Sequence, residues 1–502
     1  MEYKNPIILG DYSDPDVIRY KDNFYLIASS FNHTPIIPIL KSKNLIDWKI
    51  LRYVSDKLPY EKYNEVCHGD GVWAPSIRYH NGFFYILAPF PDEGIWVYKT
   101  SDIENGEFES WCLIKGKGYE DPCPIWTSDG KCYLVLAFAK SRAGFNSCLG
   151  LFEVSPDLRS VLSDGYKIIF DGHNTQPTIE GPKFYYRNDM YYILAPAGSV
   201  KTGWQTALRS KNIYGPYEEK IVMAQNDSKI NGPHQGALVD LKDGRDVFIH
   251  FQDLDAYGRI IHLEPVTWYN DWPIIGSAKD LLLCGTPVDS YKYFINKESN
   301  YKIVTSDNFD KDKLSLMWQN PANTNMPYYS FNNGLIIKCL YHNEKAKNSL
   351  NLYPYSLLTK LMYKSFRVKV EIEFDFKSNN DEAGIVLMGE EYAYISKELI
   401  DSKYYICIKS GKFNECDNIL YKELSDSNNI IFNLEFIYPG IYRFGFNNKY
   451  INIKFNAKKG RWIGAKYGIF ARGISNTGSA KFKYFKVKEI KKWKRMMNLF
   501  LI

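Results

Sequence analysis

The chain has no apolar run near the roughly 20 residues that a bilayer-crossing helix needs. Cysteine is sparse: nine residues in 502, an odd number, with no pair at CxxC spacing. A disulfide scaffold, a zinc ribbon and a dithiol redox motif are therefore excluded. An excess of one charge is also lacking. The net charge of +6 is small for this length, so neither nucleic acid nor a membrane is an expected partner. No GxSxG elbow and no HExxH helix occurs, and Gly116-Lys117-Gly118 runs into Tyr119-Glu120 rather than into a phosphate loop. The opening residues, MEYKNPIILGDYSDPD, hold no basic segment followed by an apolar core. A soluble protein of a reducing cytoplasm is the expectation, and Asn32-His33-Thr34 is then a glycosylation sequon that goes unused.

Aromatic residues are abundant at 16%, and Tyr and Phe favour strands and sugar-stacking clefts. Five segments share one pattern of a polar residue, a proline, an apolar pair, a turn and an aromatic strand. They read SDPDVIRYKDNFYLIAS, WAPSIRYHNGFFYILAP, EDPCPIWTSDGKCYLVLA, EGPKFYYRNDMYYILAP and NGPHQGALVDLKDGRDVFIHF. Their prolines, Pro15, Pro75, Pro122, Pro182 and Pro233, lie 60, 47, 60 and 51 residues apart. Between the apolar runs sit Lys21-Asp22-Asn23, His80-Asn81-Gly82, Ser128-Asp129-Gly130 and Arg187-Asn188-Asp189. Asn, Asp and Gly tolerate the positive φ of hairpin turns. Each repeat is thus about one four-stranded antiparallel sheet, and five such sheets arranged radially make a β-propeller over residues 1–290. Residues beside the five prolines should converge on one axial pocket.

The repeats stop near Gly276, and 277–300 reads as a connection. Short alternating strands follow, such as Phe366–Ile372 and Tyr450–Phe455, divided by turns such as Lys377-Ser378-Asn379-Asn380-Asp381 and Ser475-Asn476-Thr477-Gly478. They predict an antiparallel β-sandwich over 300–495, which makes the chain all-β. The terminal KKWKRMMNLFLI is too short to span a bilayer and reads as a packed or frayed end.

Three acids fall in register with the repeat: Asp14 before Pro15, Asp121 before Pro122, and Glu180 before Gly181-Pro182. A single Asp-Pro is commonly a turn. Three acids in register are harder to dismiss, because like charges brought together raise at least one pKa and equip a site for acid–base chemistry. Glycoside hydrolysis needs such a set: a protonated carboxyl at the leaving oxygen and a carboxylate that activates water. Trp73 and Phe31 offer flat faces for sugar C–H groups, although taken alone each is more often a core residue. His234 holds the fifth repeat position. Arg259, and more weakly Arg142, could fork a sugar hydroxyl or a carboxylate.

SDPDVIR, WAPSIRYHNGFFYI, EDPCPIW, TIEGPKFY, NGPHQGAL and GRIIHLEPVTW, in this order and spacing, resemble glycoside hydrolase family 43. SDNFDKDKLSLMWQNP and YGIFARGISNTGSAKFKYFKV resemble the concanavalin A-like, jelly-roll sandwich of its β-xylosidase branch. The resemblance implies an inverting, exo-acting hydrolase of xylo- or arabinoxylo-oligosaccharides, a β-D-xylosidase first and an α-L-arabinofuranosidase second. A carbohydrate-binding protein without turnover is the alternative from another class. It implies Asp14 as general base, Glu180 as general acid and Asp121 as the residue that raises and orients that acid. Phe31, Trp73 and Arg259 are the implied sugar contacts and His234 the implied pocket-centre histidine; Arg142 stands with the substrate-binding candidates on its residue type alone. No cofactor is required; a structural calcium, held through water at His234, and homo-oligomers are left open. One departure stands out: Asp16 follows Pro15 where many members carry Ser. The sandwich is expected to close the pocket rather than to hold a sugar site of its own.

Overall fold

The computed structural model describes residues 2–295, 298–413 and 415–491. Apart from Lys491, the basic and apolar terminal segment lies outside the described residues. Five four-stranded antiparallel sheets follow one another over 16–55, 76–115, 119–171, 183–223 and 236–275, each with its strands in sequence order. These are the five blades of a propeller. The predicted turns carry the required backbone: Asn81 and Gly82 have φ of 47° and 86°, and Asn188 and Asp189 have 48° and 58°. Two consecutive left-handed residues match the twist of the strands that they join.

Neighbouring blades bury their apolar faces against each other, as Ile27 and Ile39 of blade 1 do with Ile77 and Ile86 of blade 2. The ring closes where the first strand of blade 5, Gly236–Asp240, packs on that of blade 1, Asp16–Tyr20. The amino-terminal segment seals this seam: Ile7 N–H donates to Ile261 O (2.8 Å), Ile261 N–H to Ile8 O (2.9 Å) and Tyr12 N–H to Arg259 O (3.1 Å).

The second unit is a sandwich of an eight-stranded and a six-stranded sheet. Phe366–Asp375 shows the alternation of period two: Phe366, Val368, Val370 and Ile372 are buried, while Arg367 and Lys369 are exposed. The sandwich core runs on into Ala256, Tyr257 and Ile260 of blade 5, so the two units share one apolar cluster. Polar contacts add to it. Thr34 and Asn320 exchange backbone hydrogen bonds of 2.9 and 2.7 Å, and Asn32 Nδ2 donates to Pro321 O (2.6 Å). The sequon asparagine is 1% exposed and is spent on this joint.

One further contact positions the site. Gly258 (φ 72°) and Gly464 meet so closely that a Cβ on Gly464 would lie 2.6 Å from Tyr257 O. Ala465 N–H donates to Ala256 O (2.7 Å), and Lys459 Nζ pairs with Asp253 Oδ2 (2.6 Å). The sandwich loop 459–465 is thereby pinned beside Arg259.

Candidate active site

A pocket of about 320 Å³ opens where the first strands of all five blades begin. Its lining includes Asp14, Ala74, Asp121, Glu180 and Gln235, one residue from each blade. The far ends of the same strands open on a separate hollow that contains none of these acids.

The backbone explains why the acids sit where they do. The residue just before the blade proline is left-handed in four blades: Asp14 (φ 55°), Asp121 (56°), Gly181 (60°) and Gly232 (48°). Asp tolerates this conformation better than most side chains, and Gly does so freely. Blades 1 and 3 place a short acid at that residue. Blade 4 places Gly181 there and carries a longer acid, Glu180, one residue earlier.

Asp14 is 4% exposed and fully engaged. Ser13 Oγ and Ser29 Oγ donate to its Oδ2 at 2.8 and 2.6 Å, and Arg259 Nη1 donates to Oδ1 at 2.7 Å. Asp121 is 5% exposed; it accepts Gly181 N–H on Oδ2 (2.8 Å) and Gln235 Nε2 on Oδ1 (3.3 Å). It therefore holds the peptide that directly follows Glu180. Burial raises the pKa of Asp121, and the Asp14 charge adds to this, while buried Lys183 and the Gly181 N–H oppose it.

The Glu180 carboxyl is pushed up to about 8, first by burial and then by the Asp121 and Asp14 charges, with Arg259 opposing. Its side chain is still 38% exposed. The burial is thus that of a pocket wall rather than of a closed core, and water in the pocket tempers it until a ligand displaces that water. One carboxyl held proton-bearing and another paired with an arginine is the division that acid–base hydrolysis of an acetal requires.

Phe31, Trp73 and Arg259 line the pocket as expected. Phe31 (φ 50°) is fixed by paired hydrogen bonds with Val72, and Gly71 (φ 89°) lies so close that a Cβ there would meet Phe31 O at 2.2 Å. Trp73 Nε1–H donates to Gly69 O (2.8 Å). Arg142 is not among the lining residues: Asp70 (2.9 Å) and Asp92 (3.4 Å) hold its guanidinium, which stacks over Trp73 at 5.3 Å. It buttresses a wall instead of facing the cavity. In blade 5 the lining residue is Gln235, while His234 is 1% exposed and lies beneath, with Nε2 3.5 Å from Glu180 Oε1. The Asp16 departure is neutralised: it is fully buried, bridged to Arg78 (2.7 Å), and it accepts Ile77 N–H of the next blade (2.8 Å).

Both ring nitrogens of His234 lack a hydrogen-bond partner among the described residues, and burial holds its pKa down at about 3. A neutral imidazole of this kind suits a water. It does not suit a directly bound calcium, which takes six to eight oxygen ligands. Among the described residues, no group of three His, Cys, Asp or Glu ligand atoms includes it.

Among the lining residues beyond those expected from the sequence, Trp462 and Glu120 stand out for their chemistry. Trp462 reaches the pocket from the pinned sandwich loop and meets Trp73 edge to face at 6.2 Å. Glu120, next to Asp121, supplies a fourth carboxyl. Trp462 has no repeat register to reveal it. Glu120 does have one, two residues before Pro122, the same offset as Trp73 and Glu180 from their prolines.

Comparison with known proteins agrees with this architecture. Glycosyl hydrolases family 43 matches residues 3–273, and the beta xylosidase C-terminal concanavalin A-like domain matches 306–488. A putative beta-xylosidase of Xylanibacter ruminicola is 40% identical over 332 residues, 64% of this chain and 60% of its own length. A beta-xylosidase of Formosa agariphila is 32% identical over 355 residues, 64% and 59% of the two chains. The chain thus spans about 60% of the length of these two relatives. A non-reducing end alpha-L-arabinofuranosidase of Bacteroides ovatus is 29% identical, over 78% of this chain and 74% of its own. The solved xylan beta-1,4-xylosidase from Bacillus halodurans shares the fold with a TM-score of 0.82 at 20% identity, covering 97% of this chain and all of that one. The five blades, the sandwich and the match over more than half the sequence lead to one statement: the chain belongs to glycosyl hydrolase family 43.

Proposed function

We propose that the chain is an exo-acting, inverting glycoside hydrolase that releases terminal β-D-xylose from hemicellulose-derived oligosaccharides. The observation that carries this reading is the meeting of Asp14, Asp121 and Glu180, from three blades, in one pocket. Family 43 inverts configuration, which is a single displacement. A water attacks the anomeric carbon and gives its proton to Asp14, which Arg259 and two serines orient. Glu180 gives its proton to the leaving oxygen as the C–O bond breaks. Asp121 fixes the Gly181 peptide behind the acid and, by its charge, keeps that acid protonated near neutrality. The pocket lies at the small end of the roughly 300–1,000 Å³ range of ligand sites, which suits a chain end rather than a chain middle.

Xylose is the favoured sugar because two of the relatives described above are named beta-xylosidases. The relative named as an arabinofuranosidase covers more of this chain, so α-L-arabinofuranosides are the second substrate class. The test is kinetic and stereochemical. Nitrophenyl β-xyloside should be cleaved faster than the α-arabinofuranoside, and NMR should show α-xylose as the first product. Asp14→Ala and Glu180→Ala should each lower kcat on xylobiose about 10²- to 10⁴-fold. First-formed β-xylose would refute the mechanism. Binding of xylobiose without any cleavage would leave a carbohydrate-binding protein.

A further inference from the structure

Two residues before the blade proline, three blades turn a side chain into the pocket: Trp73 in blade 2, Glu120 in blade 3 and Glu180 in blade 4. Their strand register is the same. Trp73 and Glu180 donate their backbone N–H to Pro89 O and Pro196 O, both at 3.1 Å, and Glu120 pairs with Ala137 at the matching point of its hairpin. Glu120 is 8% exposed, yet no described residue gives its carboxyl a hydrogen bond. The charges around it are Asp121, Glu180 and Asp14, and the cation facing it, Arg142, is already held by Asp70 and Asp92. The carboxyl faces the pocket, so its hydrogen bonds must come from what fills that space: water when the pocket is empty, and a ligand that displaces this water has to replace them.

We propose that Glu120 is a sugar-recognising residue, its carboxyl group hydrogen-bonding a hydroxyl of the sugar on which Asp14 and Glu180 act. The proposal rests on the glycosidase reading above. Burial and the adjacent carboxylates push the Glu120 pKa well above the usual carboxylate range, which favours its proton-bearing form. A neutral carboxyl donates through O–H and accepts through C=O, and a sugar hydroxyl answers both. This separates Glu120 from Glu180, its counterpart in the next blade, whose proton is passed to the leaving group.

The experiment compares wild type, Glu120→Gln and Glu120→Ala on nitrophenyl β-xyloside and on its 2-, 3- and 4-deoxy analogues. Glu120→Ala should lower kcat/KM on the parent sugar about 10- to 100-fold, as expected for an abandoned hydrogen bond in a dry site. Glu120→Gln should stay within about fivefold, since an amide also donates and accepts. On one deoxy analogue the Glu120→Ala loss should shrink to within twofold, which identifies the hydroxyl. Equal losses on all four substrates would show a merely structural role and overturn the proposal, as would a Glu120→Ala variant within twofold of wild type on the parent. If wild type cleaves no pentoside, the glycosidase reading fails by itself. Calorimetric titration with xylobiose then reads the contact alone: weaker binding by Glu120→Ala upholds it, and equal or absent binding overturns it.

Discussion

Replacing Asp121 with Asn would test the electrostatic link between the acids. Asparagine keeps the shape and still accepts the Gly181 N–H, now seen at 2.8 Å, through its amide oxygen. Its NH2 takes the place of Oδ1, so the Gln235 side-chain amide must turn to present its oxygen instead of Nε2. Beyond that turn, the change removes the charge. After burial, that charge is the largest influence that raises Glu180 to about 8. Like charges sharing a site move a pKa by about one unit or more, so Glu180 should fall to about 7. The catalytic acid works protonated, so the basic limb of the rate profile should move down by that unit. At pH 7 the protonated fraction would drop from about 90% to about 50%, a twofold loss; at pH 8 it would drop from about 50% to about 10%, a fivefold loss. The assay is the pH dependence of xylobiose hydrolysis, because its leaving alcohol needs the proton and nitrophenolate does not. The kcat profile reports the complex, from which sugar has expelled water, and should shift more than that of kcat/KM. A basic limb that stays in place or moves upward would refute the reasoning, whatever the loss in rate.

Trp462→Ala should raise KM for xylobiose about 3- to 10-fold with little change in melting temperature, because this residue is 47% exposed and its ring meets Trp73 edge to face at the pocket wall. Gly464→Ala should cost about 1–3 kcal/mol in chemical denaturation and also weaken activity, since its Cβ would press on the Tyr257 carbonyl and displace the loop that carries Trp462. Glu180 also predicts a stability trend. Its folded pKa lies above its ordinary value, so its contribution is complete below about pH 4.5 and is lost as pH rises through about 8. Glu180→Gln lacks that loss, and its melting temperature relative to wild type should therefore climb between pH 5 and pH 9.

The propeller was legible because its repeat is written twice, in the prolines and in the turns between paired strands. That register brought Asp14, Asp121 and Glu180 together before any coordinates, because a radial fold converts equal position in a repeat into nearness at an axis. It erred by one residue in blade 5, where Gln235 rather than His234 lines the cavity. Arg142 suits a sugar by residue type, but Asp70 and Asp92 lie within its reach and claim it, which no local sequence pattern reveals. Trp462 was illegible for a different reason. Its place depends on a joint between two units, and contacts such as Gly258 with Gly464 leave no periodic trace in either.

That glycine joint divides labour between the halves of the chain. Asp14, Asp121 and Glu180 all belong to the propeller, while one aromatic piece of the pocket wall, Trp462, is lent by the sandwich. Grafting a different 459–465 segment would then retune which chain ends are accepted without disturbing a single acid, a route to new selectivity that leaves the reaction untouched.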